Sequence, residues 1–188
     1  MNSIQQQLPD NCTAEFDEGI CTNFRVTFTT NATDDIVDVA CLGPCIVERP
    51  CVLRVTNPVT GQTAIYTIRL HTVETIGSNQ RWCYSVVVQG EPSLSHWVLE
   101  LCSLPPMVVA VTRNGVNIPF SVGVQPDLGG QIGIKFDVGA SQADGTVLYC
   151  FEVVGHFGQV LRDVAAKGGP APATLNPDCQ YGPACPCP

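Results

Sequence analysis

Charge is what this sequence has least of. Only 14% of its 188 residues are Asp, Glu, Lys or Arg, against roughly a quarter in an ordinary soluble chain. Lysine, the common guard of exposed sheet edges, occurs only at Lys135 and Lys167. Long apolar runs are missing too: none approaches the roughly 20 residues that cross a bilayer as a helix, so no membrane span is expected. The opening residues Met1-Asn2-Ser3-Ile4-Gln5 have neither the basic start nor the apolar block of a secretory signal. A route to the outside without a Sec signal peptide is therefore expected. Nine Lys+Arg against 17 Asp+Glu leave a net charge of -8, which repels phosphate backbones and excludes nucleic acid as a partner.

Cysteine, by contrast, is abundant. Eleven are present, a number that points to an oxidising environment and, being odd, leaves at least one without a partner in its own chain. Synthesis inside a cell followed by oxidation after lysis reconciles the cysteines with the missing signal. The 45% of apolar residues is enough to build a core and excludes disorder for most of the chain.

The negative charge is concentrated at the start. Asp10, Glu15, Asp17, Glu18, Asp34, Asp35 and Asp38 face only Arg25 within the first 40 residues, so the rest of the chain is close to neutral. Near-neutral surfaces associate readily, because little repulsion holds copies apart.

Apolar residues recur with the period of strands. In Phe24-Arg25-Val26-Thr27-Phe28-Thr29-Thr30 the apolar and polar residues alternate, as in a half-buried strand. Further strands are predicted over Ile36–Ala40, Cys51–Thr56, Ile65–Thr72, Arg81–Gln89, His96–Cys102, Val108–Arg113, Val116–Val122, Ile132–Val138 and Val147–Val154, divided by Gly, Pro, Asn and Asp clusters. Asn114-Gly115 suits a tight type I′ hairpin, Asn57-Pro58-Val59-Thr60-Gly61 a longer turn, and Pro119 marks an edge or bulge. Val160–Ala166 reads as the only helix or as a last strand. The fold class is all-β, a β-sandwich or jelly roll of about 8–10 strands, with extended cysteine-bearing arms. Its expected divisions are an N-terminal arm over 1–22, a sandwich over 23–169, and a Pro/Cys-rich C-terminal arm over 170–188.

The cysteines divide by context. Cys83, Cys102 and Cys150 sit in predicted strands and Cys41, Cys45 and Cys51 in a Gly-Pro loop; these six are candidates for bridges within the domain or for buried thiols. Cys12, Cys21, Cys179, Cys185 and Cys187 lie on the arms, where an accessible thiol can exchange with another chain, and are candidates for bonds between copies. The spacings of Cys41, Cys45 and Cys51 and of Cys185-Pro186-Cys187 lack the paired arrangement that holds zinc. Asp34, Asp35 and Asp38 lack a calcium-binding loop and read as a solvated acidic turn. No metal or cofactor is assigned.

Catalytic patterns are sparse. His71, His96 and His156 are each flanked by apolar strand residues and read as structural, and no nucleophile elbow, phosphate loop or metalloprotease motif occurs. Cys150 with His156 could be drawn as nucleophile and base, but neither lies in a recognisable motif. An enzyme is not expected. Trp82, Tyr84 and Trp97 share strand faces with Val and Leu and read as core, or else as contact aromatics of a binding surface.

Two resemblances follow. The stretches Ser95–Cys102, Gly133–Asp137, Leu148–Gly155, Ala166–Gly169 and Gly182–Cys185 resemble a β-sandwich module of bacterial surface and secreted proteins, which implies an extracellular module without catalytic residues. A weakly charged, cysteine-rich β protein with cysteines on its arms also resembles self-assembling spore-surface proteins, such as endospore appendage subunits and exosporium lattice proteins. That resemblance implies a jelly-roll subunit joined to its neighbours by strand pairing and by disulfides from an N-terminal arm, a role Cys12 and Cys21 would fill. Here the arm is acidic and a second cysteine-bearing segment ends the chain. The expected function is a structural subunit that polymerises with copies of itself, and with other surface proteins as further partners, into a fibre or surface layer. The alternative is a monomeric adhesion module for carbohydrate or protein.

Overall fold

The computed structural model describes residues 24–31, 34–41 and 50–184. They fall into two compact units, one containing the first two strands and one beginning at Glu48.

In the first unit β1 (Phe24–Asn31) and β2 (Asp34–Cys41) form an antiparallel hairpin. Its register pairs Phe24 with Cys41, Val26 with Val39 and Phe28 with Val37, so apolar residues occupy one set of alternating positions. Asp34 and Asp35 open β2 and Asp38 lies within it; the acidic cluster is part of a strand, and the turn expected there is corrected.

The second unit is a sandwich of two antiparallel sheets. Its strands are β3 (Cys51–Thr56), β4 (Thr63–Ile76), β5 (Asn79–Gln89), β6 (Leu94–Glu100), β7 (Val108–Arg113), β8 (Val116–Asn117), β9 (Phe120–Gln125), β10 (Gln131–Phe136), β11 (Thr146–Val154), β12 (Gln159–Gly168) and β13 (Thr174–Pro183). One sheet has six strands in the order β3-β4-β5-β11-β7-β8, and the other has five in the order β13-β12-β6-β10-β9. The chain changes sheet after β5, β6, β8, β10 and β11, so repeated crossings tie the two sheets into one sandwich.

Sequence alternation explains the core. Cys51, Leu53 and Val55 of β3 are buried while Val52, Arg54 and Thr56 are exposed. Between the sheets Trp97 stacks on Phe136, with ring centroids 4.1 Å apart, and Tyr84, Tyr149 and Phe151 complete the aromatic cluster. Trp82, Tyr84 and Trp97 are fully buried, which makes them core and withdraws them as contact aromatics. On the outer side of the five-stranded sheet Leu128 covers Val98 and Ala165. A Cβ at Gly133 would come within 2.6 Å of Leu128 Cδ1, so only glycine lets the Pro126–Leu128 turn seat.

Turn chemistry follows the sequence. Asn114 and Gly115 have φ of 50° and 80°, and Arg113 pairs with Val116 across them, as a type I′ hairpin requires. Asn57 Oδ1 accepts the backbone N–H of Val59 at 2.9 Å and closes the β3–β4 turn.

Val160–Ala166 lies in β12, the strand of the two readings open for it. A further expectation is corrected. Residues 174–183 of the expected C-terminal arm form β13, antiparallel to β12. The hairpin at 24–41 belongs to a separate compact unit from the sandwich. Of the described residues, no helix is long and apolar enough to cross a membrane.

Candidate assembly edge

A sandwich of two open sheets has four edge strands, here β3, β8, β9 and β13. Each turns half of its backbone N–H and C=O groups away from its only neighbour. How those groups are covered differs sharply between the two sides.

On one side β3 and β13 close against each other. Cys51 of β3 is disulfide-bonded to Cys179 of β13. Asn176 Nδ2 donates to the Val52 carbonyl at 3.3 Å, and Thr174 Oγ1 to the Arg54 carbonyl at 3.4 Å. Deeper in, Gln180 Nε2 donates to the Ile68 carbonyl at 2.9 Å and the Tyr84 hydroxyl to the Tyr181 carbonyl at 3.0 Å. The β13 strand is itself an unattractive template, because its register shifts opposite Asp163 and Pro177 and the left-handed Asp178 lie in that shift.

The other side is open. There β8 is only two residues long, whereas β9 is a regular six-residue strand, Phe120-Ser-Val-Gly-Val-Gln125. It carries no charge and no proline, and its register with β10 is unbroken. Phe120, Val122 and Val124 stand opposite Phe136, Ile134 and Ile132, and Phe136 and Ile134 are fully buried. The three β9 residues thus occupy core-facing positions, yet they remain 38%, 37% and 66% exposed, and Val116 of β8 is 68% exposed. Among the described residues, β9 is thus a sheet edge whose core-facing side chains are only partly covered.

The structure sorts the cysteines differently from their sequence context. Cys179, expected to reach a neighbouring copy, is buried and bonded to Cys51 within the chain; that expectation is corrected, because β13 carries it into the sandwich. Cys83 and Cys150 stand opposite each other in β5 and β11 and are bonded, so Cys150 is no nucleophile for His156. Cys102 is also disulfide-bonded. No described cysteine is a free thiol, the state an oxidising compartment imposes. Cys12, Cys21, Cys45, Cys185 and Cys187 lie outside the described residues, and Cys41 is placed only as the last residue of β2.

Of the histidines, His96 Nε2 lies 2.6 Å from Asp127 Oδ2 and fastens the Pro126–Leu128 turn to β6, while His156 hydrogen-bonds the Gly77 carbonyl. Sequence reasoning missed the β9 edge because alternation reports a half-buried strand whether or not a neighbour covers it. The one legible signal was that the stretch after Pro119 holds no charged residue. No family model, curated protein or solved structure matches the chain.

Proposed function

We propose that this protein is a structural subunit that joins copies of itself into a fibre or layer on a bacterial or spore surface. In this reading the β1–β2 hairpin of one copy extends the five-stranded sheet of the next copy at β9, and disulfides between copies make the joint covalent. The asymmetry of the sandwich carries the proposal: β3 and β13 are fastened together, while β9 is regular, uncharged and apolar on its core-facing side.

A head-to-tail contact needs two different elements, and it builds a filament when its rotation does not close. Among the described residues, β1 and β2 pair only with each other, and a lone hairpin is marginally stable in water until another surface covers it. Its alternating apolar positions match those of β9. Covering Phe120, Val122 and Val124 contributes on the order of 1 kcal/mol for each side chain, added to the backbone hydrogen bonds of strand addition. The low charge leaves little repulsion to oppose stacking. The adhesion alternative would have to use residues other than Trp82, Tyr84 and Trp97, which are enclosed in the core.

Electron microscopy and sedimentation of the purified protein, with and without reductant in denaturant, test the proposal. Polymers that persist in denaturant and disperse once reductant is added are expected. A monomer under every oxidising condition would defeat it.

A further inference from the structure

We propose that the Cys51–Cys179 disulfide is the point where the sandwich takes up tension: a pull arriving along the chain from the β1–β2 hairpin is handed at Cys51 to β13, and so to the sheet that carries β9. The inference rests on the reading of the protein as a self-linking subunit, in which the hairpin and β9 are the two places where neighbouring copies hold it.

The bond sits where such a pull arrives. Cys51 is the first residue of β3, and β3 is the first strand of the sandwich that the chain reaches after the hairpin. Cys179 lies in β13, the last strand. The two are 128 residues apart, and β4 to β12 lie wholly between them. A pull that enters before Cys51 and leaves after Cys179 follows the covalent path through the S–S bond, so the strands inside the loop can yield no length while that bond stands.

Alone, β3 would be a poor anchor. It is an edge strand paired only with β4, and a pull on its first residue would open the ladder from the Cys51–Ile68 pair onward, one pair after another. The bond removes that starting point, because Cys51 is fully buried and tied to the other sheet. Further along β3, Asn176 and Thr174 of β13 hydrogen-bond the Val52 and Arg54 carbonyls. Peeling β3 away would have to carry β13 with it.

The order of strands then directs the load. β3 belongs to the six-stranded sheet, which does not contain β9, whereas β13 and β9 are the two edges of the five-stranded sheet. Without the bond, tension taken up at β3 would have to cross the apolar core, where attraction is non-directional. With it, tension reaches β9 through the hydrogen-bonded ladders β13–β12, β12–β6, β6–β10 and β10–β9.

The test stretches the folded, oxidised full-length chain between handles on its two ends in a force spectrometer. Residues 51–179 are expected to release no length. Reductant should let the same molecules lengthen by about 45 nm, the 128 residues of the loop at roughly 0.35 nm each. Cys51→Ala/Cys179→Ala, kept oxidised, should release length that the unaltered chain withholds, though less than the reduced chain does, because Cys83–Cys150 still closes 67 residues. With the second handle moved to a bioorthogonal residue replacing Ser121 in β9, the pull follows the proposed joint. There the doubly substituted chain should give way about tenfold sooner at the same force.

A release of about 45 nm from the oxidised, unaltered chain, or equal lifetimes of the two chains in the pull on β9, overturns the proposal. Should the doubly substituted chain fail to fold, the oxidised and reduced forms of the unaltered chain still decide. Molecules that hold their length yet never assemble at high protein concentration would sustain the tension-bearing bond and defeat self-linking. Covalent polymers whose oxidised subunits each lengthen by about 45 nm when stretched would do the reverse.

Discussion

Cys179 is bonded to Cys51 across the gap between β13 and β3, joining positions 128 residues apart and fastening the last strand of the sandwich to its first. A bond closing so long a loop restricts the unfolded chain strongly. The paired substitution Cys51→Ala/Cys179→Ala should therefore lower unfolding free energy by about 3–5 kcal/mol, read from denaturant midpoints at constant m. The hydrogen bonds of Thr174 and Asn176 to β3 should keep the strand order intact, visible as an unchanged far-ultraviolet dichroism spectrum. A loss below 1 kcal/mol would show that the bond constrains little.

Val122 lies mid-edge in β9. A lysine there places charge where a neighbouring strand would have to dock, the device by which natural sheets protect their edges. Val122→Lys should reduce polymer yield about tenfold while leaving the monomer folded. Val59→Lys serves as control, since Val59 is 80% exposed in the β3–β4 turn and far in sequence from β9. Equal loss of polymer in both variants would remove β9 from the joint.

Tyr66 is buried and donates its hydroxyl to the Pro92 carbonyl at 2.7 Å. Burial, reinforced by Glu91, pushes its pKa up to about 12 from the ordinary 10.0, and burial also raises Tyr84 and Tyr149. A raised phenol pKa means that the folded state keeps a proton that the unfolded state gives up. Its stabilising contribution is complete below pH 10 and is lost as pH climbs towards 12. Denaturant midpoints should fall across that window, and less steeply in Tyr66→Phe. Phenolate absorbance should rise together with unfolding, and a midpoint flat through the window would contradict the assignment.

Gly133 passes beneath Leu128 at a distance no Cβ can occupy, since one would lie 2.6 Å from Leu128 Cδ1 and 2.9 Å from both Val98 Cγ1 and the Leu99 carbonyl. Gly133→Ala should cost about 1–3 kcal/mol through overpacking. Because the displaced turn follows β9 directly, the variant should also assemble less than its remaining stability alone would allow. Thermal melts paired with sedimentation would separate the two effects.

Local chemistry made much of the sandwich readable in advance. Leu53 and Val55 alternate with exposed residues as the sequence pattern requires, and Asn114-Gly115 forms the turn its residue types prefer. The final strand was hidden by Pro177 and Pro183, which are poor strand residues in a sheet interior but acceptable on an edge. A bulge accommodates Pro177, and Asp178 N–H donates to Asp163 Oδ1 at 2.9 Å within it. The fate of Cys179 depended on that missed strand. Nor could the exposure of Phe120, Val122 and Val124 be read, because whether an edge is covered depends on which strands lie beside it, and pairing over long sequence separations leaves no periodic trace.

The unequal sides of the sandwich also give the proposed polymer a direction. Each joint unites a hairpin with a β9 strand, so one terminus of the polymer displays an unused β9 and the other an unused hairpin. Subunits arriving at the two termini meet different chemistry, and growth at one can proceed at a rate unrelated to growth at the other. A surface that binds only one of these elements would orient every fibre standing on it the same way.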